Sequence, residues 1–239
     1  MFSQPPLFQE AAAAFGNPNL GPTHTVHVGF GFDYDVLPGV RFGIEGFTKF
    51  LYDRVISTEF GDPVPFKNGG KGRIFGMEVS AKVDPRGRFF GYLSYTLSRS
   101  ERLDEQGHYQ VFDFDQPHIL SATAVYRLGL GWEAGFTFRL VSGNPTTPVV
   151  GAVYNKDTMT YSPVYGELNS IRSPYFHRLD VRVEKTWTFT SWKLAAYLDI
   201  QNVYNAANYE GITYDFEYRL SQRVRGLPIL PNIGLRGEL

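Results

Sequence analysis

The residue types best able to carry chemistry stand in a few short stretches. Asp113, Asp115 and His118 lie close together in the chain, and an Asp/His pair beside a cleft could activate water. Asp33 and Asp35 share one face of an extended run, about 7 Å apart as i, i+2 neighbours, so they could do paired-carboxylate acid–base work. His24 and His27 point to opposite faces of an extended chain and cannot share a metal ion. Gly69-Gly70-Lys71-Gly72 lacks the Ser/Thr and the upstream glycine of a phosphate-binding loop, and no HExxH occurs. With Cys at 0, thiolate nucleophiles, disulfides and thiolate metal sites are excluded. No set qualifies as a catalytic centre, so the sequence predicts a non-enzyme without metal site or cofactor. What remains is recognition chemistry. The stretch 142–176 holds Tyr154, Tyr161, Tyr165 and Tyr175 with few charges, and tyrosines stack on or hydrogen-bond a sugar, catechol or tetrapyrrole. Arg139, Arg178 and Arg182 could guide an anionic chelate. Asp180 and Glu184 alternate with the latter two, so ion pairing among Arg178, Asp180, Arg182 and Glu184 is an equally direct reading.

These side chains need a frame, and period-two alternation supplies it. Val26, Val28, Phe30, Phe32 and Tyr34 alternate with His27, Gly29, Gly31 and Asp33. Comparable runs follow at 40–45, 77–83, 89–97, 120–126, 132–140, 179–184, 192–201 and 232–239, nine in all. No window reads as a long amphipathic helix. The connections alternate in length: tight turns near Pro38, Asp84, Gly129 and Thr190, long stretches at 58–72, 100–117, 142–176 and 202–228. Tight turns at one end and long loops at the other, with strands of about 9–11 residues, are the pattern of an outer-membrane barrel.

The two faces of the runs agree. Tyr34, Phe89, Tyr126, Trp132, Trp187 and Trp192 sit on the apolar face near the tight turns, where amphipathic rings would meet lipid headgroups. The opposite face carries charges and glycines, tolerated in a wide lumen. A soluble antiparallel barrel or sandwich with its apolar face inward is the competing arrangement, because alternation does not say which face meets water.

Composition sets outer bounds. The 239 residues carry Lys+Arg 23 against Asp+Glu 24, a net charge of −1, with no basic footprint for nucleic acid. At 20% charged residues a helical membrane bundle is excluded, and at 16% aromatic a disordered chain. Phe 20 and Tyr 15 against Met 3 favour strands. No run of roughly 18 apolar residues offers a spanning helix. Residues 1–10 contain no Lys or Arg, and 11–14 is too short for the apolar core of a secretory signal.

If the long connections are extracellular, nine crossings end in the periplasm, and the alternation at 212–218 belongs to an extension of the last loop. Single-chain bacterial barrels usually have an even strand number, and an open edge in lipid leaves backbone groups unpaired. Strand parity therefore predicts at least one earlier strand outside this chain.

Specific stretches carry a resemblance. Phe15-Gly16-Asn17-Pro18-Asn19-Leu20 precedes the first run. Asn68-Gly69-Gly70-Lys71-Gly72-Arg73 with Gly76-Met77-Glu78 follows "N-G-x-G-R-x-x-G-x-E". Asp113-Phe114-Asp115-Gln116-Pro117-His118 follows "D-Q-x-H"; Leu179-Asp180-Val181-Arg182 and Asn202-Val203-Tyr204-Asn205 follow "L-D-x-R" and "N-x-x-N"; the stretch 228–235 follows "P-x-x-P-x-x-G-x". In this order they resemble the C-terminal half of the barrel of TonB-dependent outer-membrane receptors.

The resemblance implies an all-β fold, an antiparallel transmembrane β-barrel segment of about nine or ten strands with short periplasmic turns and long extracellular loops. Residues 1–22 would be an extracellular loop segment and 23–239 the barrel segment. It implies location in the bacterial outer membrane and uptake of a scarce nutrient such as a ferric siderophore. The implied partners are outer-membrane lipid, a plug domain and N-terminal strands beyond this chain, the inner-membrane TonB complex acting through that plug, the barrel-assembly machinery, and a small-molecule or metal-chelate ligand. Ile233, Gly234, Leu235 and Leu239 would form the assembly signal, with Leu239 where the family usually ends on an aromatic residue. A small free-standing barrel serving as passive pore or anchor is the alternative.

Overall fold

The computed structural model describes residues 2–12, 14, 16–58 and 64–239. Phe15 of the first motif, Ala13 and residues 59–63 of the first long connection lie outside the described residues.

In chain order the elements are β1 (Phe2–Gln4), α1 (Phe8–Ala11), β2 (Thr23–Leu37), β3 (Val40–Ser57), β4 (Phe66–Val83), β5 (Phe89–Leu103), β6 (Tyr109–Val111), β7 (His118–Gly129), β8 (Trp132–Val141), β9 (Pro145–Thr146), β10 (Val149–Asn155), β11 (Thr160–Tyr165), β12 (Ile171–Arg172), β13 (Phe176–Thr188), β14 (Lys193–Gln201), β15 (Tyr209–Tyr214), β16 (Ser221–Arg225) and β17 (Leu230–Glu238). One antiparallel sheet takes the order β1-β2-β3-β4-β5-β7-β8-β13-β14-β17, with β6 added to the end of β5. Its long members are the nine alternating runs of the sequence. Among the described residues, β1 and β17 are the two ends of the sheet and do not pair with each other. The sheet is therefore open.

The apolar face is the exposed one. Phe30 is 85% exposed, and Phe32, Phe75, Leu93, Phe136 and Leu198 on the same face are exposed too. The described hydrophobic residues that are buried are only Val141, Ala195 and Ala206. A soluble sandwich would bury its large side chains between two layers; this sheet turns them outward. The aromatic residues read from the sequence as a belt, Tyr34, Phe89, Tyr126, Trp132, Trp187 and Trp192, are all exposed beside the tight turns.

Those turns are built by backbone chemistry. Gly39, at φ +84°, lets β2 fold straight into β3. Gly129, Leu130 and Gly131 all have positive φ between β7 and β8. A Cβ on Gly131 would collide with the carbonyl oxygen of Thr186. Between β13 and β14 the Phe189 N–H donates to the Trp192 carbonyl at 2.9 Å, and the two rings stack at 4.4 Å.

Strand length departs from expectation. β3 and β4 run for 18 residues each, so the part of the connection expected at 58–72 that begins at Phe66 is strand. The ladder continues because paired backbone groups are satisfied in water as well as in lipid. The side chains record the change of surroundings: beyond Phe75 and Leu97 the same face carries Arg73, Arg99 and Glu101. At the other end of β2, residues 2–4 pair with Thr23, His24 and Thr25, so part of the segment expected to be loop extends the sheet.

The long connections hold their own small sheets. β9 pairs with β12 and β10 with β11 inside the connection from β8 to β13. β15 pairs with β16 off the main sheet, as the reading of 212–218 as a loop extension requires.

Candidate functional site

The polar face and the long-loop end of the sheet gather most of the candidate residues. Arg139 and Arg178 stand directly opposite each other across β8 and β13, a like-charge juxtaposition that must be neutralised. Arg178 donates to Asp180 at 2.9 Å. Arg182 pairs with Glu184 at 2.6 Å, approaches Asp199 at 3.9 Å and lies 4.1 Å from the centre of the Tyr197 ring. Arg236 from β17 also reaches Glu184, at 3.3 Å. Ion pairing, the second reading of this stretch, is thus what Arg178 and Arg182 do. Arg139 is exposed and forms no ion pair with the described residues. Asp180, Arg182, Glu184 and Asp199 line one side of a concavity of about 340 Å³.

The tyrosines separate into two groups. Tyr154 and Tyr161 are cross-strand partners in the β10–β11 hairpin, their rings 4.9 Å apart. Tyr161 also meets Phe216 edge-on at 5.6 Å, which ties this hairpin to the one formed by β15 and β16. Tyr165 and Tyr175 are exposed and stand apart from that cluster. Phe216 could not be placed here from sequence, because the contact joins two separate loops.

Asp115 is a structural node. It is 1% exposed. One carboxylate oxygen accepts the Ser100 N–H at 2.5 Å, and the other accepts Arg172 Nη2 at 2.5 Å with Arg99 Nη1 at 3.7 Å. Arg172 Nη1 donates to the Asp115 carbonyl at 2.6 Å. This joins the β5–β7 connection to the β8–β13 connection. Asp113 instead accepts Asn169 Nδ2 at 2.7 Å. His118 turns to the apolar face, opposite Leu97, where its Nδ1 is hydrogen-bonded to the Tyr95 hydroxyl at 2.7 Å. The three residues therefore have three separate sets of partners. At the far end, Asp35 pairs with Arg41 at 2.8 Å, and both are exposed.

The "N-x-x-N" stretch organises the root of the last long connection. Asn202 is buried at φ 52°, its amide donating to the Ala206 and Leu227 carbonyls while its oxygen accepts the Ala206 N–H at 2.8 Å. Its own N–H donates to Asp180 at 2.9 Å. Asn205, at φ 53°, accepts from Arg225 and the Ile229 N–H.

Two arginines escaped the sequence reading. Arg54 and Arg102 both address the Phe112 ring, at 6.0 and 3.8 Å. Among the described residues Arg102 bonds only to the Ser100 hydroxyl and the Glu101 carbonyl, and its buried Nε has no partner. Burial, and next the charge of Arg54, push its pKa down to about 10. Gly72 leaves the room: a Cβ there would lie 2.9 Å from Arg102 Cδ. Two glycines, Gly70 and Gly72, spaced to face the same side of a strand were the available signal.

Ile233 and Leu235 on β17, and Leu239 just beyond it, are strongly exposed at the sheet edge. Gly234 lies flat against the Tyr197 ring, which a Cβ would strike.

The family model for the TonB-dependent receptor-like β-barrel matches residues 2–203. No curated protein matches the sequence. Among solved structures, the pyoverdine outer membrane receptor FpvA from Pseudomonas aeruginosa bound to pyoverdine matches with a TM-score of 0.67 at 15% identity, over 99% of this chain and 32% of that one. The ferric-catecholate import receptor Fiu from E. coli K12 matches with 0.58 at 14%, over 99% and 30%. The FrpB iron transporter from Neisseria meningitidis matches with 0.60 at 16%, over 92% and 32%. At these identities the likeness is one of fold, and the chain spans about a third of the length of these proteins.

Proposed function

The chain belongs to the TonB-dependent receptor-like β-barrel family, and on that premise we propose that it builds part of the wall and several ligand-facing loops of a bacterial outer-membrane receptor. That receptor imports a scarce nutrient such as a ferric siderophore. The observation carrying this reading is the division of one open sheet into an exposed apolar face with aromatic residues beside its tight turns and a charged face beneath long, internally folded loops.

In this reading the apolar face meets outer-membrane lipid and the long loops face the outside. The edges at β1 and β17 pair with further strands, since unpaired backbone in lipid costs several kcal/mol per group. The charged face meets a plug domain, through which the inner-membrane TonB complex acts. Ile233, Gly234, Leu235 and Leu239 present the last strand to the barrel-assembly machinery. Arg139, Arg178, Arg182, Tyr154, Tyr161, Tyr165 and Tyr175 contact a small-molecule or metal-chelate ligand. The chain performs no catalysis and needs no cofactor.

Uptake of radioactive iron tests the reading. Cells making the protein receive ferric citrate, a ferric catecholate or a ferric hydroxamate, with and without an uncoupler. Accumulation of one of the three that the uncoupler abolishes is expected. Flux of small solutes that ignores the uncoupler, with spontaneous ion conduction in a planar bilayer, would replace the receptor by the passive pore.

A further inference from the structure

The long-loop end of the sheet holds a pair of positive charges that the described residues leave underused. Arg54 lies at the bulge where β3 crosses β4, and Arg102 near the end of β5. Ladder register puts Arg102 opposite Gly72, on the polar face, and Gly72 has no side chain to stand between the guanidinium and the lumen. Both guanidiniums flank Phe112, whose N–H is tied to the Ser100 carbonyl at 3.0 Å. The ring therefore holds two like charges in one place, and burial strengthens their repulsion.

Every other buried polar side-chain atom among the described residues is satisfied; Arg102 Nε is the exception. A buried unpaired donor is costly and calls for a partner. Among the described residues the nearby acids do not supply one. Asp113 is close enough to act on both arginines through its charge, but its carboxylate accepts from Asn169. Glu10 acts on Arg54 alone and accepts the Leu7 N–H at 2.8 Å. Glu101, on the opposite face, is occupied by Arg73 and Arg99.

We infer that Arg54, Arg102 and Phe112 form an oxyanion-binding subsite at the loop end of the lumen, taking carboxylate or phosphate oxygens of a multiply charged small ligand. The fork of a guanidinium matches such oxygens bidentately, and one anion would neutralise both cations. The subsite deepens the receptor reading, on which it rests, by giving the imported ligand negative charge.

The test is calorimetric titration of the full-length protein in detergent with citrate and with inorganic pyrophosphate. At least one should bind. Arg102→Gln and Arg54→Gln should each weaken that binding at least tenfold and flatten its salt dependence. Arg102→Lys, which keeps charge but loses the fork, should fall between. Gly72→Ala keeps both arginines and crowds Arg102; it should also weaken binding, and it carries the test if a glutamine variant does not fold. Heat-modifiable mobility on gels checks folding. No binding of either anion by the unaltered protein, or binding that all four variants leave unchanged, overturns the inference. Energy-dependent uptake that persists alongside either result leaves the receptor reading intact. Anion binding without such uptake does the reverse.

Discussion

At the scale of single residues, Asp115 shows what a motif is for. Its carboxylate is 1% exposed and meets a backbone N–H and two arginines. Arg172 is 57 positions away in sequence. An alignment-free reading sees Asp115 beside His118 and considers water activation; the pairing with Arg172 depends on how two long connections fold over each other. That is why the "D-Q-x-H" stretch was legible and its purpose was not. Likewise the alternation of Arg178, Asp180, Arg182 and Glu184 suggested ion pairs, because i, i+2 neighbours share a face, whereas Arg54 and Arg102 are joined only through strand register. Removing one partner of a buried ion pair leaves the other uncompensated, at a cost of about 3–5 kcal/mol. Asp115→Ala should therefore release the β8–β13 connection before it disturbs the sheet. Limited proteolysis should cut within residues 142–176 much faster than in the unaltered protein, while far-UV circular dichroism stays that of a β-sheet. Equal cutting rates would mean the small sheets of that connection hold themselves.

At the scale of elements, alternation exposed every long strand, since the period of side-chain placement is a property of the backbone. Strand ends were another matter. Hydrogen-bonded pairing of β3 with β4 continues to Ser57 and Phe66 although the apolar pattern stops earlier. Glycine marks three of the four tight turns, and glycines in turns and in strands differ in what they demand. Gly131 combines φ +76° with a backbone carbonyl in the space of its missing Cβ. Gly46 has open space and no left-handed backbone. Strain at such a position costs about 1–3 kcal/mol, whereas Gly→Ala at an unstrained site stabilises by roughly 0.4–1 kcal/mol. Gly131→Ala should lower the urea midpoint for unfolding from detergent, and Gly46→Ala should leave it unchanged or raise it. A reversed order would mean that the β7–β8 turn relaxes around the added methyl.

At the scale of the whole molecule, the question left open by alternation was which face meets water. The sheet settles exposure by geometry: its apolar side chains have no second layer to cover them. So much contiguous apolar surface is not stable in water, and the proposed receptor reading covers it with lipid, the environment that a belt of Trp and Tyr beside tight turns suits. Neighbouring residues on β5 separate the two faces most sharply. Leu93 lies midway along the apolar face between Phe89 and Leu97, and Ser94 points the other way, beside Glu78, to which its hydroxyl donates at 3.2 Å. An arginine facing the middle of a bilayer costs about 2–4 kcal/mol in a transmembrane barrel, whereas a lumen-facing one is tolerated. Leu93→Arg should lower the fraction of protein that folds into lipid vesicles, and Ser94→Arg should not. Both are read from the same heat-modifiable band, so loss of insertion is separated from poor expression. If Ser94→Arg proved the damaging change, the charged face would be the one packed away, and the competing arrangement, a soluble sandwich with a second layer supplied by another chain, would describe the molecule.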